Sequence, residues 1–401
     1  MRVLLVNNFW YPRGGAETVV LATKDLLEKS GHTVALFGTR HPANLFDNKY
    51  FVPYVDFDHL SWWGKIRAGI NAVYHREAVK NFRALILEFN PEVIHFHNIY
   101  HQLSFGLIGV AKELGIPMVM SAHDYHLISP NYRLFSRGQV DERCAGQNYW
   151  RCAWHNCLEN RGRSLIASVD AFWTHRKKYA DMIGAFISPS DFMKKKLAQF
   201  GIDESKITVA RNPVESAWFS DGDDNGDDGY VLYFGRLSEE KGIDVLLAAA
   251  KYTPNIRYVI AGVGPEEKFC HDLVAKYDLK NIELVGFKTG AEIWALVARA
   301  RLVVLPSLWY ENCPMSVIEA LAKGKIVIAS RVGGLPEILT DELLVEPGDS
   351  VVLAGAIKYW HGETPANRHD SVRSITEKIK KEFSPEWYLS RLLEIYSDVS
   401  R

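Results

Sequence analysis

No run in this 401-residue chain approaches the roughly 18 apolar residues of a membrane-crossing helix. The opening MRVLLVNNFW holds a four-residue apolar run before two asparagines, which is too short for a signal-peptide core and has no small-residue cleavage site. Charge of one sign is missing too. The 47 Lys and Arg stand against 48 Asp and Glu, so a formal net charge of -1 gives no global pull toward nucleic acid or acidic surfaces. Cysteine is scarce and odd in number: of five, Cys270 and Cys313 lie far from Cys144, Cys152 and Cys157. That usage argues against a disulfide framework and for a reducing, cytoplasmic setting. The composition, 47% hydrophobic and 24% charged, is that of an ordinary globular protein. A chain of this length exceeds one core, and two domains are expected.

The first half alternates. VLLV (3 to 6) is followed by the loop NNFWYPRGG, an amphipathic segment from Ala16 to Ser30 stopped by Gly31, and TVALFG. EVIHFH (92 to 97), a helical stretch from Leu107 to Leu114 and PMVMSAH (117 to 123) continue the pattern. Continuous apolar strands alternating with helices predict a doubly wound α/β domain with a parallel sheet. DGDDNGDDG (221 to 229) carries no apolar residue and reads as an exposed loop. After it a second α/β series begins, with YVLYFG, a helix from Ile243 to Lys251, IRYVIAG, NIELVGF, RLVVLPS and KIVIAS. PEWYLSRLLEIYSD (385 to 398) closes the chain as an amphipathic helix, with Ser384 as its cap.

Each half has a glycine loop between strand and helix: PRGGAE (12 to 17), with Gly14 and Gly15, and GRLSEEKG (235 to 242). Glycine there lets backbone N–H groups approach a phosphate at a helix N-terminus. It equally serves a plain tight turn, and neither loop is the dinucleotide fingerprint. The second loop adds Arg236 and Lys241 at the carboxyl end of a strand, where open α/β sheets bind ligands, and this pair suits a diphosphate. The alternative is a surface turn in which Lys241 pairs with Glu239 or Glu240.

WYENCPMSVIEAL (309 to 321) sets Glu311 and Glu319 eight residues apart. Pro314 suits the first position of a helix capped by Asn312 or Cys313 and stopped at Gly324, leaving Glu311 in the loop and Glu319 on the helix. Glu319 could instead pair with Lys323 at i,i+4.

The Glu311-x7-Glu319 spacing, the PS-x-x-x-E lead-in, FGR with KG five residues on, the early GGAE and the later VGGLPE resemble the retaining glycosyltransferases of family 4 over nearly the whole chain. The resemblance implies a GT-B fold: two Rossmann-like doubly wound domains facing across a cleft, residues 1–208 for the acceptor and 209–383 for the donor, with the helix of 384–401 crossing back to the first domain. It implies that Arg236 and Lys241 neutralise the donor diphosphate, helped by Gly14 and Gly15, and that Glu319 accepts hydrogen bonds from the ribose. Glu311 would sit against the sugar, with the backbone of Asn312, Cys313, Pro314 and Met315 holding sugar hydroxyls or phosphate. Gly286 and Phe287 would meet the nucleobase, His123 the transferred sugar, and Asp124 would orient the site. The expected activity is transfer of a hexosyl group from a nucleotide sugar to a saccharide or lipid-linked saccharide, in cell-surface polysaccharide or glycoconjugate synthesis. Rival readings are a sugar-nucleotide epimerase or hydrolase on the same fold, and a non-catalytic nucleotide-sugar-binding subunit.

No cofactor and no catalytic metal are expected. An Asp-x-Asp would be needed, and neither DFD (56 to 58) nor DGD (221 to 223) follows a strand. Nucleic acid is not an expected partner. Between residues 58 and 90, Trp62, Trp63, Ile66, Ile70, Val73 and Tyr74 recur at helical spacing among Lys65, Arg67, Arg76 and Lys80. Such a stripe usually packs on its own domain. Aromatics flanked by bases also suit peripheral contact of residues 60–80 with the inner face of a membrane, or a lipid-linked acceptor. The long segment from Pro130 to Arg163, assigned to acceptor binding, carries Cys144, Cys152, Cys157 and His155. Those residues could hold a structural zinc, but their spacing matches no common knuckle, and plain thiols are the expectation.

Overall fold

Val3, Leu4, Leu5 and Val6 are wholly buried, because the first strand, β1 (Arg2–Val6), is paired on both edges. In the computed structural model, which describes residues 1–56, 59–219 and 226–401, the chain forms two units. The first comprises Met1–Ser136, Asp141–Pro213 and Glu386–Arg401, and the second Arg137–Val140 and Val214–Pro385.

In the first unit β1 leads through α1 (Gly15–Lys29) to β2 (Thr33–Phe37). Helices α2 (Trp62–Val73) and α3 (Arg76–Phe89) precede β3 (Val93–Phe96), and α4 (Gly106–Glu113) precedes β4 (Met118–Ser121). Then come α5 (Trp150–His155), α6 (Arg161–Arg176), β5 (Ala185–Ser188), α7 (Asp191–Gln199) and β6 (Ile207–Val209). The sheet is parallel in the order β6-β5-β4-β3-β1-β2. The C-terminal helix, Pro385–Val399, packs Tyr388, Leu392, Ile395 and Tyr396 into the same core as Val3 and Leu5. Helices α2 and α3 are separated at Tyr74 and His75, and His75 caps α3 through its ring nitrogen, an acceptor for Ala78 N–H.

The second unit runs β7 (Val231–Phe234), α8 (Ile243–Lys251), β8 (Tyr258–Ala261), α9 (Glu267–Lys276), β9 (Ile282–Gly286) and α10 (Ala291–Arg299). It continues with β10 (Leu302–Leu305), α11 (Met315–Ala322), β11 (Ile326–Ser330), β12 (Leu344–Val345), α12 (Ser350–Gly362) and α13 (Pro365–Glu382). Its parallel order is β9-β8-β7-β10-β11-β12. In both sheets chain order reverses beside the first strand, between β1 and β3 and between β7 and β10, which is where doubly wound sheets open a crevice at their carboxyl ends.

Two expectations change here. The stripe on α2 is not core: Trp62, Trp63, Ile66 and Ile70 are exposed, and the helix is buried through Ala68, Gly69 and Ala72. Small residues make that contact because a close helix neighbour stands there, with a Cβ on Gly69 reaching 3.0 Å from Ile166 of α6. The described end of the acidic run is a loop, as its composition suggests, but it is less exposed than expected. Asp227 bonds Arg301 at 2.7 Å and Arg368 at 2.6 Å, so its charge is used internally. Phe57 and Asp58 of DFD, all of DGD and the start of the acidic run lie outside the described residues.

Candidate functional site

The β7/β10 edge gathers residues that the sequence separates by seventy positions. After β7 the chain turns through Gly235 into Arg236, whose carbonyl accepts the Tyr233 hydroxyl at 2.7 Å. Gly242 then passes directly over the end of β10: its φ is +65°, and a Cβ there would stand 2.0 Å from the Pro306 carbonyl oxygen. Leu308 N–H donates to the Glu240 carbonyl at 2.9 Å, joining the two loops. This brings Lys241 Nζ to 2.6 Å from Glu311 Oε1. The ammonium therefore pairs with Glu311, not with Glu239 or Glu240, and it lies 5.2 Å from the Trp309 ring centre.

Glu311 is only 3% exposed. Ser307 Oγ donates to its Oε1 at 2.5 Å, and its carbonyl accepts Gly334 N–H at 2.6 Å. Gly333 allows that approach, since a Cβ would fall 2.1 Å from the same carbonyl oxygen. VGGLPE thus acts as a wall for the Glu311 loop. Arg236 is exposed and makes no ion pair among the described residues. Ser238 Oγ and Trp309 Nε1 are buried donors without partners among the described residues, beside a site that would receive an acceptor-rich ligand.

Glu319 lies one turn into α11. Pro314 occupies the cap position and Met315 opens the helix, one residue later than expected: with ψ at 113° Pro314 stays extended, while its carbonyl still accepts Val317 N–H at 3.0 Å. Asn312 and Cys313 precede the cap. Glu319 does not pair with Lys323, whose ammonium donates to the Ala217 carbonyl at 3.2 Å. Burial, reinforced by Glu215, pushes the Glu319 carboxyl up to about 8. At the end of β9, Gly286 takes a φ of +70°, and Phe287 is 61% exposed.

At the carboxyl ends of β3 and β4 in the first unit, His123 follows β4 and its Nε2 lies 2.9 Å from Nδ1 of His97, with the rings stacked. His97 in turn packs on His95, whose ring is held by Tyr396 at 2.7 Å and Ser121 at 2.8 Å. Burial lowers His123 to about 4 and His97 well below its ordinary value. His123 is therefore a neutral ring at physiological pH. Asp124 caps its own loop, accepting His126 N–H at 2.9 Å, and burial raises it to about 6. Gly14 is the N-cap of α1 and Gly15 its first residue; Gly14 is extended, so a positive-φ turn is not why it is glycine. Glu17 in the first turn is 8% exposed and is raised to about 7, by burial first and by Asp124 among the charges.

Within the second unit, Arg236 and Lys241 therefore share one edge with Glu311, Asn312, Cys313, Pro314, Met315 and Glu319. Gly286 and Phe287 end a strand two places away in the same sheet. Ser238, Ser307 and Trp309 were not anticipated, although Ser238 sits inside GRLSEEKG and Ser307 inside the PS-x-x-x-E run. In the first unit Glu17 and His97 were missed; Glu17 was visible only as a letter in PRGGAE.

Comparison with known proteins places the chain. The family model "Glycosyltransferase Family 4" matches residues 13–218, and "Glycosyl transferases group 1" matches 215–378. A phosphatidylinositol N-acetylglucosaminyltransferase subunit of Arabidopsis thaliana is 22% identical over 94% of this chain and 78% of its own. A putative colanic acid biosynthesis glycosyltransferase, WcaL of Salmonella typhimurium, is 28% identical over 49% of this chain and 52% of its own. Among solved structures, HepE of Anabaena in complex with UDP-glucose superposes with a TM-score of 0.67 at 18% identity, covering 99% of this chain and all of that one.

Proposed function

Because the chain belongs to glycosyltransferase family 4 and is a glycosyltransferase of GT-B type, we propose that it transfers a hexosyl group from a nucleotide-diphosphate sugar to a saccharide or lipid-linked saccharide hydroxyl, with retention. The observation that carries this reading is the convergence of Lys241 on Glu311 beside the exposed Arg236 at the β7/β10 edge. The WcaL relative favours a polysaccharide product, the Arabidopsis relative a lipid-borne acceptor, and the UDP-glucose neighbour a nucleotide-sugar donor.

As the glycosidic bond to the diphosphate opens, negative charge builds on the leaving oxygens and positive charge on the sugar ring. Arg236 supplies a guanidinium fork and Lys241 a point charge for the first; no metal is invoked. Lys241 is already fixed in place by its contact with Glu311, so little reorganisation is needed as charge develops. The acceptor oxygen attacks the anomeric carbon from the leaving-group face, and its proton passes to the departing phosphate. With Oε1 of Glu311 bound by Lys241 and Ser307, that carboxylate positions a cation and lines the sugar; it is not a nucleophile.

A panel of UDP-, GDP- and ADP-sugars in a thermal-shift assay tests the reading. One donor class is expected to raise the melting temperature, since a ligand at 100 times its dissociation constant stabilises by about 2.7 kcal/mol. Absence of any shift across the panel, with correctly folded protein, would remove the donor assignment.

The reading includes work at the cytoplasmic face of a membrane. No helix among the described residues is long and apolar enough to cross one. The exposed Trp62, Trp63, Ile66 and Ile70, with exposed Lys65 and Arg67 among them, make instead a surface for lying on anionic lipid. In co-sedimentation with anionic phospholipid vesicles, W62S/W63S is expected to cut binding on the order of tenfold, through lost aromatic burial. Equal partitioning of both proteins would discard the membrane contact.

A further inference from the structure

Cys144, Cys152 and Cys157 are all buried, and their three sulfurs lie within 4.8 Å of one another. We propose that they form a metal site, and that its occupant is one Zn²⁺ per chain.

The first argument is what the segment otherwise lacks. The long excursion around residues 130–163 has a satellite core made of those three cysteines, with only Leu158 packed partly against it. Leu134, Phe135, Ala145 and Tyr149 of the same excursion are buried outside this cluster, but the cysteine cluster holds almost no apolar side chain to tie its loops together, and a metal held by thiolates would supply that cross-link. Neutral thiols are weak hydrogen-bond partners and gain little by converging. A cation would reverse that balance by binding them as thiolates.

Geometry is the second argument. Sulfurs placed about 2.3 Å from a tetrahedral zinc stand about 3.8 Å apart. The trio spans that spacing, with Cys144 and Cys157 at 3.0 Å and the widest separation within 4.8 Å. No fourth His, Asp or Glu atom joins the cluster among the described residues, and His155 is outside it, so the fourth corner falls to water.

The surroundings hold these ligands in place, as metal second shells do. Asn156 adopts a left-handed φ of +52°, which turns the chain so that Cys157 N–H reaches the Cys152 carbonyl at 3.1 Å. Ser168 Oγ accepts Ala153 N–H at 3.1 Å and Ser164 Oγ accepts Leu158 N–H at 3.1 Å, clamping the flanks of Cys152 and Cys157 to α6. Arg143 lies beside Cys144 and Cys157 and bonds Asp141 through two nitrogens at 2.8 Å. The guanidinium and that carboxylate offset each other, leaving three thiolates and Zn²⁺ with one net negative charge.

The test uses the full chain purified under reducing conditions. Elemental analysis is expected to find about one zinc per chain, falling to near none in C152S, while C270S, altered in the second unit, keeps it. Because C152S could fail to fold, a second measurement uses wild-type protein stripped with chelator and titrated with Co²⁺. A sulfur-to-cobalt charge-transfer band saturating at one equivalent, displaced by Zn²⁺, supports the site. Zinc retained in folded C152S, no cobalt–thiolate band, a different metal at stoichiometric occupancy, or a Cys144–Cys157 disulfide in the reduced preparation would each overturn it. None of these outcomes bears on donor binding in the second unit, so the two proposals stand or fall separately.

Discussion

K241A is expected to lower kcat/KM on the order of 100-fold or more, the loss typical of removing one preorganised donor from a developing anion. The structure adds a second consequence. Lys241 Nζ lies 2.6 Å from Glu311 Oε1, and the Glu311 side chain is only 4% exposed. Removing the ammonium leaves a buried carboxylate held by Ser307 alone, and breaking such a pair typically costs about 3–5 kcal/mol, less where water can fill the vacated space. K241A should therefore melt earlier as well as turn over slowly. The two effects separate in K241A/E311Q, which removes the orphaned charge. That variant is expected to regain most of the melting temperature and none of the turnover. Chemical denaturation and steady-state kinetics on the same preparations check both limbs. Wild-type kcat/KM in K241A would misplace the diphosphate, and a double variant as unstable as the single would show that the buried charge is not the cost.

Local pattern carried most of the architecture. The helix expected from Ile243 to Lys251 occupies those residues, and the apolar runs inside each sheet became buried parallel strands, while the edge strands β2 and β9 stay partly exposed. Periodicity failed where burial depends on what stands opposite. On α2 the aromatic stripe and the small-residue stripe share one helical period, and only the neighbouring Ile166 decides that Ala68 and Gly69 go inside. The C-terminal helix reads as amphipathic in sequence. Its place against Val3 and Leu5 came from resemblance, since a strand partner at the other end of the chain leaves no local mark.

The site was legible as a set of letters and not as pairings. Spacing left Lys241 with Glu239 or Glu240 and Glu319 with Lys323, because a sequence offers only near neighbours as partners. The fold overrules both. A glycine with no Cβ lets the Lys241 loop cross the end of β10, and the ammonium then meets a carboxylate seventy residues on. The cysteines carry the same lesson: spacings of eight and five fit no familiar metal motif, yet a left-handed Asn156 and two serines of α6 bring all three sulfurs together.

E319Q is expected to act in opposite directions on stability and on binding. Burial raises the Glu319 carboxyl from an ordinary 4.5 to about 8, so the folded state prefers it protonated. Its stabilising contribution is complete below the unfolded value and is lost as pH rises through about 8. At pH 8 the ligand-free protein thus holds a strained carboxylate, at a cost of a few kcal/mol that partial solvent access reduces. Glutamine removes that cost, and E319Q should melt no earlier than wild type at pH 6 and higher at pH 8. The proposed ribose role works the other way. Two hydroxyls donating to an ionised carboxylate form charge-assisted bonds worth about 1.5–3 kcal/mol, so the amide should weaken donor binding by one to two orders of magnitude. Binding to wild type must then expel the proton, and affinity should rise by up to tenfold per pH unit below about pH 8. A nucleotide sugar is the right probe, because its diphosphate does not titrate in this range. Calorimetry from pH 6 to 8.5 in two buffers of different ionisation enthalpy reads the proton released. A flat profile in wild type, or equal affinity in E319Q, would take Glu319 away from the ribose and leave it a destabilising charge with no ligand to justify it.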